Sequence, residues 1–249
     1  MFFLEGKLQD VYNKLLSVLS RFTVRIKKIN CIPTLINEVV FGTDNLKLHI
    51  NNSAAYELGE DDLKNKINIE AYEFYGCTAL KSITIPDSVT SIGDFAFYYC
   101  TALKSATIGN SVTSIGGYVF RDCAALTSIT IPDSVTGINN GLFYYCTSLE
   151  SIVIPDSVTR IGVNAFEGCE GLTSITIPSS VTYIDEYAFT GCVNLTDIYL
   201  NPIVPPILGE SPFDSTVTTI HIPIGSGDAY KTATNWCYYS SIIVEDIEI

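Results

Sequence analysis

Apolar and polar positions recur along most of this chain with a period longer than that of any single helix or strand. Phe74, Phe97, Phe120, Phe143, Phe166 and Phe189 stand 23 residues apart, and so do Cys77, Cys100, Cys123, Cys146, Cys169 and Cys192. Leu80, Leu103, Leu126, Leu149, Leu172 and Leu195 keep the same step. Three columns in one register, without an insertion, define six repeats between residues 67 and 200. One such unit cannot bury its own apolar face, so neighbouring units must stack.

Within each unit two short strands are predicted. Leu126-Thr127-Ser128-Ile129-Thr130-Ile131 alternates β-branched with small polar residues at period two, and Val135-Thr136-Gly137-Ile138 is a shorter second signal. Pro86, Pro132, Pro155 and Pro178 end the first strand, and Asp or Ser two residues before Val suits a tight turn there. The Ala-Phe-x-x-Cys stretch lacks strand alternation and reads as a short helical turn that inserts Phe into the core. Parallel rungs lie about 4.8 Å apart, so equivalent residues form ladders. One ladder holds Ile83, Ile129, Ile152, Ile175 and Ile198 with Ala106 as a smaller member, and another holds Ile92, Ile115, Ile138, Ile161 and Ile184. The predicted fold is a mainly β repeat solenoid of parallel strands.

The unit Ile-Pro-x-Ser-Val-Thr-x-Ile-Gly-x-x-Ala-Phe-x-x-Cys-x-x-Leu-x-x-Ile-x resembles the BspA-like leucine-rich repeat family, found in bacterial surface proteins and some protists. The resemblance covers residues 67–249. It implies a curved, leucine-rich-repeat-like right-handed coil and a role in adhesion or ligand binding.

The two ends depart from the repeat. Residues 1–66 form an N-terminal α/β segment in this reading. Leu8, Val11, Tyr12, Leu15, Leu16 and Leu19 fall at helical steps and give an amphipathic helix that needs a partner surface. Phe22, Val24 and Ile26 suggest a strand, and Leu46, Leu48 and Ile50 another. The segment serves either as a cap or as an attachment device. Residues 201–249 read as a bulged insertion, a last coil at Val217–Pro223, a short helix over Asp228–Trp236 and a closing strand at Ile242–Val244. An atypical terminal unit is what covers a solenoid's open core.

Composition narrows the function classes. Hydrophobic residues make up 47 % and charged ones 16 %, which opposes disorder. Acids outnumber bases 27 to 14, giving a net charge of −13, whereas nucleic-acid binding draws on clustered Lys and Arg. The imbalance lies in residues 67–249, with nineteen acids and five bases, against eight and nine in residues 1–66. No apolar run approaches the roughly 18 to 20 residues of a membrane-spanning helix. The first residues, Met1 to Lys7, lack the pattern of a signal peptide. Localisation stays open between a cell surface and a virion.

Candidate chemistry is sparse. The six laddered thiols approach from equivalent places and cannot surround a metal tetrahedrally. Their Cβ atoms, about 4.8 Å apart, exceed the usual disulfide spacing, which leaves reduced core residues. No metal, cofactor or catalytic residue is expected. His49 and His221 read as lone surface histidines, Gly225-Ser226-Gly227 as a turn, and Asp185-Glu186 as solvated acids. The candidate ligand-binding residues are Thr84, Thr107, Thr130, Thr176 and Tyr199 on the first strand's outer face, and Tyr75, Tyr98, Tyr99, Tyr144 and Tyr145 before the cysteines. The first group makes either a solubilising hydroxyl ladder or a shallow strip for a protein or glycan. The second makes either an interface or a cover for the corner. The expected function is a non-enzymatic protein- or glycan-binding adhesion module. The alternative is a structural or receptor-binding part of a larger assembly, such as a phage tail, docked through residues 1–66.

Overall fold

The computed structural model describes residues 39–41, 46–48, 56–59 and 63–248. By compactness the chain divides into Met1–Pro33 and Thr34–Ile249, and all described residues belong to the second unit. The expected helix of Leu8 to Leu19, with its assembly role, the strand of Phe22 to Ile26, Cys31 and His49 lie outside the described residues. Strands β1 (Val39–Phe41) and β2 (Leu46–Leu48) pair antiparallel, which places Leu46 and Leu48 in a strand as expected.

The repeats coil into a parallel β-solenoid. The first strands stack as β3 (Tyr56–Leu58), β5 (Leu80–Ile85), β7 (Ser105–Ile108) and β9 (Ser128–Thr130), then as β12 (Ser174–Ile177), β14 (Asp197–Leu200), β16 (Thr219–Pro223) and β17 (Ile243–Ile247). The second strands stack as β4 (Asn68–Ile69), β6 (Ser91–Ile92) and β8 (Ser114–Ile115), then as β10 (Gly137–Ile138), β11 (Arg160–Ile161), β13 (Tyr183–Ile184) and β15 (Ile207–Leu208). Register follows the repeat, with Ile83 opposite Ala106 and Ala106 opposite Ile129. The parallel sheet also reaches ahead of the first full repeat, where Leu58 lies opposite Ile83.

Inward columns build a continuous core. Phe97, Phe120, Phe143, Phe166 and Phe189 are wholly buried, and successive rings stack at 5.4, 5.8, 5.4 and 5.1 Å. Phe213 extends the column at 5.7 Å. The prolines make the predicted corner: the N–H groups of Val89, Val135, Val158 and Val181 donate to the carbonyls of Pro86, Pro132, Pro155 and Pro178 three residues earlier, at 3.0 to 3.1 Å.

The Ala-Phe-x-x-Cys stretch is not the helical turn that its lack of alternation suggested. The N–H groups of Tyr118, Phe120 and Asp122 donate across to the next coil, to Asn140, Leu142 and Tyr144 at 2.9, 3.0 and 2.8 Å. Those of Arg121 and Cys123 close turns onto Tyr118 and Phe120, at 3.2 Å each. A helix would direct every N–H along its own axis, which would leave the neighbouring coil's carbonyls unpaired. Alternating the two partners requires left-handed backbone at Tyr118 and Asp122 and at their equivalents.

One glycine column shows how closely the coils approach. Gly93, Gly116, Gly162 and Gly209 donate at 2.8 Å to Ile69, Ile92, Ile138 and Ile184. A Cβ at Gly93 or Gly209 would lie 2.5 or 2.4 Å from the backbone nitrogen of Ala71 or Glu186. Asn139 takes this place in the coil of Phe143, and its side-chain amide donates to the Ile115 carbonyl. There β8 and β10 do not pair, Ser151–Ile154 forms no strand, and the Phe stack opens to its widest value of 5.8 Å.

The C-terminal end closes the core. After a step one residue longer than the repeat, Leu208 pairs with Ile184. Helix α1 (Gly227–Thr232) and a 3-10 helix (Trp236–Tyr239) then fold over the last coil. Buried Tyr230 and Trp236 donate at 2.7 Å to the carbonyls of Pro202 and Pro206, so the insertion supplies the acceptors that fix the cap. Among the described residues no helix is long and apolar enough to cross a membrane.

Removing one ring from the stack should leave a cavity between two neighbours. Phe143→Ala is expected to destabilise by about 3 to 5 kcal/mol in chemical denaturation. Thr130→Ala, on an exposed column, should stay within about 0.5 kcal/mol. Equal losses would show that the inward and outward columns are misassigned.

Candidate functional site

The strand face and the tyrosine corner occupy separate ladders of the coil. On the strand face, Thr84, Thr107 and Thr130 lie in register, as do Ser82, Ser105 and Ser128. Among the described residues their hydroxyls make no hydrogen bond. Elsewhere hydroxyls are used internally: Ser134, Ser157 and Ser180 donate to the carbonyls of Val112, Val135 and Val158, at 2.6 Å each. The strand face is thus left to water or a ligand. Val153, exposed to 80 %, interrupts it, and beyond Thr176 the column continues as Tyr199 and His221.

The corner brings the other candidates together. Tyr75 lies 5.1 Å from Tyr98 between ring centroids, Tyr98 lies 6.1 Å from Tyr99, and Tyr144 lies 4.7 Å from Tyr145. Arg121 joins the two halves: its guanidinium sits 5.1 Å from the Tyr98 ring, 5.7 Å from Tyr118 and 4.7 Å from Tyr144. Nε of Arg121 also donates to Asp122 at 3.2 Å. A further column, Tyr72, Phe95 and Tyr118, stacks with spacings of 4.9 and 5.1 Å. Within this cluster burial, followed by the Glu167 and Tyr145 charges, pushes the Tyr144 phenol above its ordinary value. Arg121, Asp122, Tyr72, Phe95 and Tyr118 escaped the sequence reading, although the 23-residue step aligns Arg121 with Tyr98 and Tyr144.

Left-handed backbone recurs along this corner in every coil, at Asn164 and Tyr187 as well as at the aromatic cluster. Tyr72, Phe95, Tyr99, Tyr118, Asp122 and Tyr145 adopt φ values of 60, 57, 63, 57, 56 and 56°. That region costs a residue with a Cβ about 1 kcal/mol or more. Gly76, Gly141 and Gly168 fill equivalent positions in other coils without this strain. Some compensation is visible: Tyr145 lies against Gly168, where a Cβ would meet its ring at 3.0 Å.

Two readings of lone surface groups need correction. His221 is largely buried and lies between two carboxylates, with Nδ1 2.7 Å from Asp246 and Nε2 3.3 Å from Asp197. Its ring stacks on Tyr199 at 4.3 Å, so one imidazole joins β14, β16 and β17. Parallel register put these groups side by side, a relation hidden by their spacing in sequence. Asp185 likewise is not simply solvated: it accepts from Nε and Nη2 of Arg160 at 2.5 and 2.9 Å.

The cysteine column is part of the scaffold. Cys100, Cys123, Cys146, Cys169 and Cys192 are buried free thiols. Each donates to the carbonyl of the preceding coil's Phe, from Phe74 to Phe166, at 3.1 to 3.3 Å. The same carbonyl accepts the backbone N–H of its own coil's Cys, as Phe120 does from Cys123 at 3.2 Å. A small apolar side chain with one weak donor fits this place. Burial pushes Cys192 up to about 12 and raises Cys123, Cys146 and Cys169. These thiols are poor nucleophiles and poor ligands in the folded state.

Residues 67–196 and 136–249 match the BspA type leucine rich repeat region, in six copies. Among solved structures, the chain is similar to a leucine-rich repeat protein from Bacteroides ovatus, at 26% identity and a TM-score of 0.43. The match covers 58% of this chain and 48% of that one. A leucine rich cell surface protein from Faecalibacterium prausnitzii is similar at 26% identity and a TM-score of 0.45, over 74% of this chain and 68% of the other. For a leucine rich repeat protein from T. pallidum the values are 26% and 0.38, over 62% and 67%. No curated protein matches.

The His221 clamp has a defined pH window. Burial alone would lower its pKa, but the hydrogen bonds to Asp246 and Asp197 and their charges outweigh it and raise the value. A raised histidine contributes stability that is full below its ordinary pKa of about 6.5 and is lost as pH rises through the raised value. Asp197, lowered by Thr196 and then by His221, contributes above the ordinary carboxylate range and loses that contribution on acidification. The His221 imidazole should therefore titrate by NMR with a midpoint above about 6.5, and Asp246→Asn should bring it down. An unchanged midpoint in Asp246→Asn would refute the clamp.

Proposed function

The chain belongs to the BspA-type leucine-rich repeat family, and from that premise we propose that it is a non-enzymatic binding module of the adhesion type, which takes a protein or glycan ligand on its outer surface. The observation that carries this reading is the tyrosine corner. Tyr72, Tyr75, Tyr99 and Tyr145 are each 38 to 50 % exposed, and three of them hold a backbone conformation that glycine adopts freely at equivalent positions of other coils. A structural cover needs no such strain, since Gly168 and Gly191 complete their coils without an aromatic ring. Tyrosine supplies apolar area with a polar tip, and with arginine it is enriched where proteins bind partners. The unpaired hydroxyls of Thr84, Thr107, Thr130 and Thr176 offer a second, flatter strip to the same ligand class.

The double variant Tyr99→Gly/Tyr145→Gly removes the two most exposed rings of the corner and relaxes the backbone beneath them. It is expected to lose binding when wild type and variant are compared on an array of glycans and extracellular matrix proteins, while its melting temperature stays within a few degrees of wild type. A variant that retains every interaction of the wild type would remove the corner from the proposal.

A further inference from the structure

The corner also indicates what kind of ligand it takes, an inference that rests on the binding-module reading. Arg121 is the informative residue. It is the one cation in its column, which otherwise reads Tyr75, Tyr98, Tyr144, Glu167 and Thr190, and it packs over the rings of Tyr98, Tyr118 and Tyr144. The corner therefore already holds one guanidinium among its ring faces, and beside it lies the carboxylate of Asp122. In the adjacent column, Tyr99 and Tyr145 flank Asp122 in successive coils, and these residues are 50 and 43 % exposed. Asp122 between them is paired with Arg121 at 3.2 Å, while the flanking positions carry exposed aromatic area.

The wider field points the same way. Residues 67–249 bear nineteen acids against five bases, and Asp94 and Glu167 lie on the coils that build the corner. Such a surface draws cations toward it and repels anionic glycans or nucleic acid. A neutral sugar would gain nothing from the charge surplus. Cations over tyrosine faces are attracted by the ring quadrupole, most strongly where the contact is desolvated. We infer that the aromatic corner from Tyr72 to Tyr145 is the docking surface for a basic segment of a polypeptide partner. Its arginine or lysine side chains lie over Tyr99 and Tyr145 as Arg121 lies over Tyr98 and Tyr144, and their charge is met by the acid surplus of residues 67–249, Asp94 and Glu167 among it.

The test uses the full chain and an octa-arginine peptide, followed by fluorescence anisotropy at about 0.15 M salt, where the Debye length is about 8 Å. Wild type should bind saturably. Tyr99→Gly/Tyr145→Gly should bind about tenfold more weakly, and Tyr99→Phe/Tyr145→Phe, which keeps both ring faces, should bind as wild type does. Asp133→Asn/Asp156→Asn, which removes two exposed acids from the proline turns, reports the effect of charge alone and should weaken binding less than the glycine pair. Equal binding by wild type and the glycine pair, both folded by their thermal transitions, would overturn the inference, because attraction would then be general. If the glycine pair keeps octa-arginine but loses its ligand on the glycan and matrix array, the cation inference fails and the binding-module reading stands. If it keeps both, the two fall together.

Discussion

The core columns of this solenoid pack against copies of themselves. A parallel ladder sets equivalent residues about 4.8 Å apart, so each side chain must tolerate its own kind directly above and below. Phenylalanine can stack face to face, isoleucine can interdigitate, and a thiol can reach the carbonyl of the coil before it. Glycine is required where coils touch through their backbones, as at Gly93 and Gly209. The 23-residue step follows from this constraint, because a residue gained or lost within a coil moves the later columns out of their ladders unless a loop takes it up. Where the step does change, as between Ile184 and Leu208, the extra residue lies in the loop of Pro202 and Pro206. The terminal cap then binds that loop through Tyr230 and Trp236.

The same rule writes the surface. A residue type repeated outward becomes a stripe, and the strand face of Thr84, Thr107 and Thr130 is one. Departures from repetition are where individuality enters. The column of Gly76, Tyr99, Asp122, Tyr145 and Gly168 varies among glycine, tyrosine and aspartate, on backbone positions where glycine is the least strained choice. His221 departs differently: it replaces a hydroxyl position with a ring that joins three strands through Asp197 and Asp246.

Much of the fold was legible from residue spacing. The Phe, Cys and Leu columns, the proline corners, the last coil and the terminal helix all follow from period and turn chemistry. The Ala-Phe-x-x-Cys stretch was misread because helical turns and tandem left-handed turns share the lack of alternation. They differ only in where N–H groups point, and that depends on the next coil. For the same reason Arg121 among its tyrosines, Asp185 with Arg160, and His221 between two aspartates were hidden: these contacts span 23 to 25 residues. Writing the sequence in rows of 23 exposes Arg121, since it falls directly between Tyr98 and Tyr144. It does not expose His221 and Asp246, which lie beyond the irregular insertion.

Self-stacking in one register is the claim on which the rest depends, and deletion of one unit tests it most directly. Removing Val163–Asp185, one full period of 23 residues, joins Gly162 to Glu186 and leaves every later column aligned. Removing Val163–Ile184 instead is one residue short of the period and shifts all of them. In thermal unfolding followed by circular dichroism, the full-period deletion should keep a single cooperative transition. The shorter deletion should lose it. If both chains melt alike, the columns are not held by stacking on their own equivalents, and the account of the fold is wrong.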